Sequence, residues 1–235
     1  MKLLNTIRSG IAVLALVAGA VPAAAVFPER AITVIVPFAS GGPGDTVVRI
    51  IGEHMTRTLG QPIVVENVAG GGGTTGTTRG SQAKADGYII MLGQMGTHGA
   101  APAQYPDLKY DPAKDFAPIG LVVAMPILII ARKTFPANSL REFVDYVRKN
   151  QDNVVEAHAG VGSVSHTTCS LLQSIIGTKT VRVAYRGTGP SLNDLVAGHV
   201  DFGCDQIVNV APQFQAGTIK AVSYTHLTLP TKRIV

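Results

Sequence analysis

The sequence predicts an α/β protein made of two successive units, each with a parallel-rich sheet flanked by helices. Three observations support this prediction: strand-like and helix-like segments alternate, the first strand-like run is apolar on both faces, and glycine-rich turns follow several strands. Parallel neighbours in a sheet need a crossover, usually a helix, so such alternation favours parallel pairing. With 46% hydrophobic residues among 235, the chain can also bury a sizeable core.

The two terminal segments are left out of the fold prediction. Residues 1–25 place Lys2 and Arg8 before a short apolar run and end in small residues, which predicts a signal peptide for export, cleaved near Ala25. Residues 223–235 have neither a helical nor a strand period and are predicted to be a non-native tail. Without the four basic side chains of these segments the formal net charge falls from +5 to +1, so a nucleic-acid partner is not expected.

The predicted first unit covers residues 26–126. Its opening strand is the β-branched run AITVIVPF, typical of a strand covered on both faces, and its first helix stops at Gly60. The elements expected in this unit are a strand at 31–38, a helix at 46–59, a strand at 62–66, a helix at 75–83 and a strand at 88–92.

The predicted second unit covers residues 127–222. The run LVVAMPILIIA, residues 121–131, predicts a long strand pair or crossover broken by Pro126. The elements expected after it are a helix at 139–149, a strand at 154–158, a helix at 165–176, a strand at 181–184, a helix at 190–197 and a strand at 200–204. Two units joined near Pro126 predict two domains with a cleft that closes by hinge motion.

The loop after the first strand indicates an anion site. In VPFASGGPGDTVVRIIGEHM a strand breaks into glycines and then becomes a helix, with Asp45 or Thr46 expected as its cap. Such a break exposes unpaired N–H groups at the positive end of the helix dipole. The loops AGVGSVSH, residues 159–166, and YRGTGPS, residues 185–191, repeat the arrangement. Three such loops at strand ends predict a crevice lined with hydrogen-bond donors.

Two motifs also suggest enzyme functions instead of an anion-binding crevice. Residues 71–76 satisfy GxGxxG, the pattern of a dinucleotide-binding oxidoreductase, but Met91 and Leu92 stand where an acidic residue would bind the ribose. An exported hydrolase could use Ser163 or Ser165 with His166, but the sequence lacks a GxSxG elbow. We therefore expect no enzyme activity, and the absence of a Gly-Lys-Ser/Thr motif also argues against nucleotide hydrolysis.

The two cysteines leave a choice open. Cys169 and Cys204 could form a disulfide, which export permits, or remain as two buried thiols, and the sequence gives more weight to the thiols. No CxxC, HxxxH or HExxH pattern occurs. His158 and His166 are eight residues apart, which is too weak a pattern to indicate a metal site. No metal and no cofactor are expected.

These motifs together resemble a known family. AITVIVPFASGGPGDTVVRIIGEHM, KADGYIIMLG, GVGSVSHTTCSLL and VAYRGTGPSLNDLVAGHVDFGCDQ are similar to the Bug-type receptors of tripartite tricarboxylate transporters, in order from about residue 27 to 222. The resemblance implies a type II periplasmic binding protein with two domains that close like a Venus flytrap. It also implies a small organic carboxylate, or an acidic amino acid, held mainly by backbone N–H groups, hydroxyls and water.

The resemblance carries over a set of ligand-contacting positions. They are Phe38, Ala39, Ser40, Gly42 and Asp45 in the first loop, Thr97 and His98 after YIIMLG, Gly162, Ser163 and His166 in the second unit, Arg186 and Gly187 in the next loop, and Asp205 after VDFGC. Asp205 could bind an ammonium group, order water, or only cap the end of its strand. Arg186 could equally be a solvated surface charge.

The resemblance also implies a partner protein, and this chain differs from the family pattern at its C-terminal end. The expected partner is a permease of the cytoplasmic membrane, served by a monomeric periplasmic receptor; a carboxylate sensor acting through a signalling protein is the alternative. Family members continue past the position of residue 222 with a segment that returns to the first domain. Here the predicted tail takes its place, so the C-terminal part is expected to be truncated and the first domain incomplete.

Overall fold

A computed structural model of the chain describes residues 27–222. The predicted signal peptide and the predicted non-native tail lie outside these residues. Within the described range, no helix combines the length and the apolarity that a membrane span requires.

The N-terminal sheet has three parallel strands in the order β2-β1-β3. Its elements are β1 (Ile32–Val36), α1 (Pro43–Leu59), β2 (Ile63–Asn67), α2 (Thr74–Ser81) and β3 (Ile89–Met91). Val34, Val36 and Val48 form its small buried core, in agreement with the predicted strand covered on both faces. Gly60 ends α1 in the left-handed region at φ +69°, where a residue without Cβ is least strained.

A short helical segment and a segment without regular secondary structure join the two sheets. A wide helical turn, Met95–Ala100, leads into the short α3 (Ala101–Gln104). Of the strand pair or crossover predicted over residues 121–131, the strand pair does not form: only β4 (Ile127–Arg132) arises from that run, and the residues before it lead from one sheet to the other. Residues 117–126 pair with no strand of the described chain, and Leu121 is 88% exposed. An apolar run without a neighbour to complete the hydrogen-bond ladder does not become a strand.

The C-terminal sheet has five strands in the order β6-β5-β7-β4-β8. Its remaining elements are α4 (Leu140–Asn150), β5 (Val155–His158), α5 (Val164–Ile176), β6 (Val181–Ala184), α6 (Thr188–Ala197), β7 (Phe202–Gln206), α7 (Ile207–Gln215) and β8 (Ile219–Ala221). β5 pairs in parallel with β6 and β7, whereas β4 runs antiparallel to β7 and β8. Four of the six strand pairings in the two sheets are therefore parallel, which matches the parallel-rich fold predicted.

Helices cover both faces of the C-terminal sheet. Phe135, Phe143 and Phe202 pack in one buried cluster, and Leu192 and Val210 belong to a second cluster. α7 was not predicted, since Pro212 and its β-branched residues disfavour a helix in isolation. Packing of α7 against β7 and β8 supplies the stabilisation that its sequence lacks.

The two cysteines are paired, whereas the sequence favoured two buried thiols. Cys169 on α5 and Cys204 on β7 form a disulfide, and their Cα atoms are 5.7 Å apart. α5 packs directly on β7, which brings two residues separated by 35 positions within the reach of a disulfide. This distance depends on tertiary packing, so the spacing in the sequence could not reveal it.

Candidate functional site

A cavity with about 430 Å³ of atom-free space, part of it open to solvent, lies between the two sheets. Its walls come from the loop after β1, the start of α1, and loops at one edge of the C-terminal sheet. The lining residues are Phe38, Ala39, Gly42 to Asp45 and Gln94 on one side, and Ile127, Ala159, Ser163 to Ser165, Thr188 and Cys204 to Gln206 on the other. Both units therefore contribute to one partly open cavity.

The start of α1 presents backbone donors to this cavity. Gly42 is the N-cap residue and Pro43 follows at the first helical position, and no side chain caps the first turn. The prediction that Asp45 or Thr46 would be the cap is therefore wrong. Asp45 accepts a hydrogen bond from Gly41 N–H (3.0 Å), and the Thr46 hydroxyl donates to Gly42 O (3.2 Å). The N–H groups of the first turn remain available to an anion.

The charge of Asp45 is balanced locally. Arg49, one turn further along α1, donates from Nε to Asp45 Oδ2 at 3.0 Å. Burial alone would raise the pKa of Asp45, but the bonds from Arg49 and from Gly41 N–H outweigh it and hold the pKa below its ordinary value. Asp45 thus stays ionised at neutral pH and is neutralised by a cation of its own helix.

The serines of the second loop are used for capping. Ser163 Oγ accepts from His166 N–H (3.3 Å) and donates to Gly160 O (2.7 Å), while Ser165 Oγ accepts from Ala159 N–H (2.9 Å). His166 Nδ1 accepts from the Gly162 N–H (3.3 Å). Within the described chain no hydrogen bond joins the His166 ring to either hydroxyl, so the arrangement does not form a nucleophile and base pair.

Replacing the capping serine is expected to lower stability. Ser163→Ala removes the side chain that accepts from the first turn of α5 and should reduce the free energy of unfolding by about 1 kcal/mol. Ser170→Ala on the same helix is the matched control, because the Ser170 hydroxyl is buried without a partner in the structure. Urea unfolding of both variants measures the difference. Equal midpoints for the two variants would contradict the capping role.

Asp205 is the second acidic residue of the cavity. It lies at the end of β7 and is 5% exposed. Its Oδ1 accepts from Gln206 N–H (2.7 Å), and its Oδ2 accepts from Asn209 Nδ2. Burial raises the pKa of Asp205 to about 7, against the opposing effect of the donors from Asn209, Gln206 and Thr188. The carboxyl is therefore held in place by neutral donors and is expensive to ionise.

The remaining predicted positions lie around the cavity. Of the thirteen, Phe38, Ala39, Gly42, Asp45, Ser163 and Asp205 line it, and Arg186 lines a second cavity of about 740 Å³ beside it. The structure does not bring Ser40, Thr97, His98, Gly162, His166 and Gly187 into either lining. Thr97 is buried behind Gln94 and His98 packs on Phe116, with ring centroids 4.9 Å apart. The ligand contacts of all thirteen stay predictions.

Ten of the sixteen lining residues were not among the thirteen predicted positions. Six of them lie within the three predicted loops: Pro43, Gly44, Ala159, Val164, Ser165 and Thr188. The other four, Gln94, Ile127, Cys204 and Gln206, lie outside those loops but close to the start or end of a strand. That shared position is the signal that could have found them, because strand ends face the crevice in folds of this kind.

The two units touch on both sides of the cavity. Ala39 N–H donates to Arg186 O at 3.1 Å, and the Tyr105 hydroxyl lies 2.9 Å from Gly71 O and 2.5 Å from Val161 O. At two places the backbones of the two units lie so close together that only glycine fits. A Cβ added to Gly72 would lie 1.7 Å from Val161 O, and one added to Gly189 would lie 2.7 Å from Ser40 O. A side chain at either position would therefore force the two units apart.

Two α/β units that close on a cavity lined by strand-end loops and helix starts define a periplasmic binding protein. A family model described as the tripartite tricarboxylate transporter family receptor matches residues 47–231, a range that includes part of the predicted tail. The chain belongs to this family, which confirms the resemblance seen in the sequence. The family consists of solute receptors and not of enzymes. Within residues 27–222 no cluster of three or more His, Cys, Asp or Glu could hold a metal ion.

Individual relatives agree with this assignment. The chain is 39% identical over 199 residues to a UPF0065 protein from the ttuE-ttuC′ intergenic region of Agrobacterium vitis, covering 85% of this chain and 57% of that one. The structure of MatC from Rhodopseudomonas palustris with bound malate is 51% identical, with a TM-score of 0.80, over 83% of this chain and 66% of that one. The periplasmic binding protein BugD is 44% identical, with a TM-score of 0.82, over 86% and 67%. These similarities confirm the predicted fold class.

Proposed function

We propose that the chain is an extracytoplasmic solute receptor that binds a small organic carboxylate in the cavity between its two units. One observation carries the proposal: the starts of α1 and α6, neither of which has a side-chain cap, lie at this cavity on opposite units, where Gly42 and Thr188 line it. A Cβ on Gly42 would lie 3.3 Å from Thr188 Oγ1, so the two starts are close neighbours. Two positive dipole ends that face each other are stabilised by an anion between them.

The neighbouring charges support an anionic ligand of modest size. The single negative charge at the start of α1 is already paired with Arg49, so it does not repel an incoming carboxylate strongly. The donors around the cavity are backbone N–H groups, the hydroxyls of Ser163, Ser165 and Thr188, and the amides of Gln94 and Gln206; no arginine is among the lining residues. The 51% identical structure of MatC holds malate, a compound of this class.

The proposed mechanism is closure around the ligand. The carboxylate binds first to the start of α1, and the loops before α5 and α6 then close over it. The contacts Ala39 to Arg186 and Gly72 to Val161 form only when the units approach, so the ligand and these contacts favour the same closed state. We propose that a permease of a tripartite transporter in the cytoplasmic membrane recognises this closed form, and that the receptor acts as a periplasmic monomer.

A thermal-shift screen tests the proposal. The full chain, exported into the periplasm of a bacterial host, is heated with malate, succinate, adipate, citrate and aspartate, with NAD as a control. A ligand at about 100 times its Kd should stabilise the native state by about 2.7 kcal/mol and raise Tm. We expect a selective rise with a carboxylate and none with NAD. A cooperative melt that no carboxylate shifts would contradict the proposed function.

A further inference from the structure

One acidic side chain of the cavity has no cationic partner. Asp205 accepts hydrogen bonds only from uncharged donors, the Gln206 N–H, the Asn209 amide and the Thr188 hydroxyl. No Lys, Arg or His of the described chain forms a salt bridge with it, whereas Asp45 across the cavity is paired with Arg49. The carboxyl is almost fully buried and lines the space that the proposed ligand would occupy.

An anionic ligand therefore meets a second carboxyl in the same cavity. Two carboxylates that share a site with little water cannot both remain ionised without a large repulsion. The repulsion is removed when one proton is shared between them, as in paired acidic sites of other proteins. The ligand keeps its charge, because the start of α1 and the start of α6 offer it positive dipole ends.

We propose, building on the carboxylate-receptor function above, that Asp205 is protonated in the ligand complex, so that each ligand binds together with one proton wherever Asp205 is ionised in the free protein. The proton comes from hydronium or from the buffer acid, whose conjugate base stays in solution. The new O–H group donates a hydrogen bond within the cavity, where a carboxylate ion could only accept one. Asp205 thereby becomes a donor in the complex and a residue that couples binding to pH.

The direction of the pH effect follows from the burial of Asp205. In the structure the pKa of this carboxyl lies at about 7, so it is mostly protonated below that pH and mostly ionised above it. An anion bound beside it raises the pKa further. Affinity should then be constant at acidic pH and fall about tenfold for each pH unit above 7. The fall arises because ionised Asp205 must bind a proton when the ligand binds.

Other titratable groups on the elements around β7 and across the cavity do not account for such an effect. They are Glu156 and His158 on β5, His166 on α5, Asp194 on α6, Arg132 on β4, and Asp45 with Arg49 on α1. Arg132 is paired with Asp201, and Asp194 accepts from the Tyr185 hydroxyl. Burial lowers the pKa of both histidines, so they are neutral throughout the alkaline range.

Glu156 is the matched control among these groups. It is also buried, and burial raises its pKa to about 7, partly opposed by Arg182. Its carboxyl contacts Gln173 and Arg182 and does not line the cavity. A proton taken up by Glu156 would be lost in Glu156→Gln and kept in Asp205→Asn, whereas a proton specific to the ligand site would be lost only when Asp205 changes.

Calorimetric titration of the full chain with malate tests the inference. At about pH 8.5, in buffers of low and high ionisation enthalpy, we expect uptake of about one proton per ligand and an affinity about 30-fold weaker than at about pH 6. Asp205→Asn should bind without proton uptake and with the same affinity at both pH values. Glu156→Gln should behave like the unchanged protein.

Each outcome either supports or overturns the inference that Asp205 binds a proton with the ligand. Malate binding with no proton uptake by the unchanged protein would overturn this inference and leave the receptor function standing, even if Asp205→Asn fails to fold. Proton uptake that persists in Asp205→Asn would assign the proton elsewhere and also overturn it. If neither malate nor any other carboxylate of the screen binds, the receptor function itself fails, and the proton linkage with it.

Discussion

Gly72→Ala is expected to weaken carboxylate binding by about a hundredfold and to leave the fold intact. A Cβ at this position would lie 1.7 Å from Val161 O, so the two units could not close as they do in the structure. Overpacking at a tight contact costs about 1 to 3 kcal/mol, and about 2.7 kcal/mol corresponds to a hundredfold change in Kd. The open protein avoids this clash, so the loss should fall on binding.

The backbone strain of the same substitution needs its own control. Gly72 has φ +62°, where any residue with Cβ is strained by about 1 kcal/mol. Gly60 has a similar φ of +69°, but a Cβ there would meet no atom within 4 Å. Gly60→Ala should therefore lose the same stability in urea and keep its affinity for malate. Equal malate affinities in the two variants, measured by calorimetry, would refute the role of the Gly72 contact in closure.

Much of the fold follows from local patterns. β6 begins and ends at the residues predicted for it, and α1 ends at the predicted glycine. Glycine loops between β-branched runs and amphipathic segments mark such boundaries because φ and hydrogen-bond demands act over a few residues. The strand predicted at 200–204 lies at 202–206, a shift of the size expected when a boundary has no glycine or proline to fix it.

The features that could not be predicted depend on contacts between distant residues. α7 contains Pro212 and forms because the sheet buries its apolar side, and the run before Pro126 stays extended because no neighbour in the described chain pairs with it. The same limit applies to the site. The loops were predicted from strand ends and glycines, but the position of Gln94 and Ile127 in the lining depends on how the two units meet.

Removing the disulfide is the second change with a large expected effect. Cys169→Ala combined with Cys204→Ala should lower the free energy of unfolding by about 3 to 4 kcal/mol. The link joins residues 35 positions apart, and its loss restores that much chain freedom to the unfolded state. Both side chains are almost fully buried, so the two sulfur atoms also leave a small void between α5 and β7. Urea unfolding at equilibrium measures the loss.

Reduction of the unchanged protein separates the covalent link from the packing of the sulfur atoms. Dithiothreitol should move the unchanged protein most of the way to the midpoint of the double variant and should not affect that variant. The link also holds β7 against α5, and Cys204 directly precedes Asp205 at the cavity. We therefore expect malate to bind more weakly after reduction, because a less constrained β7 must be ordered on binding. An unchanged unfolding midpoint with dithiothreitol would show that the two sulfurs are not joined in solution.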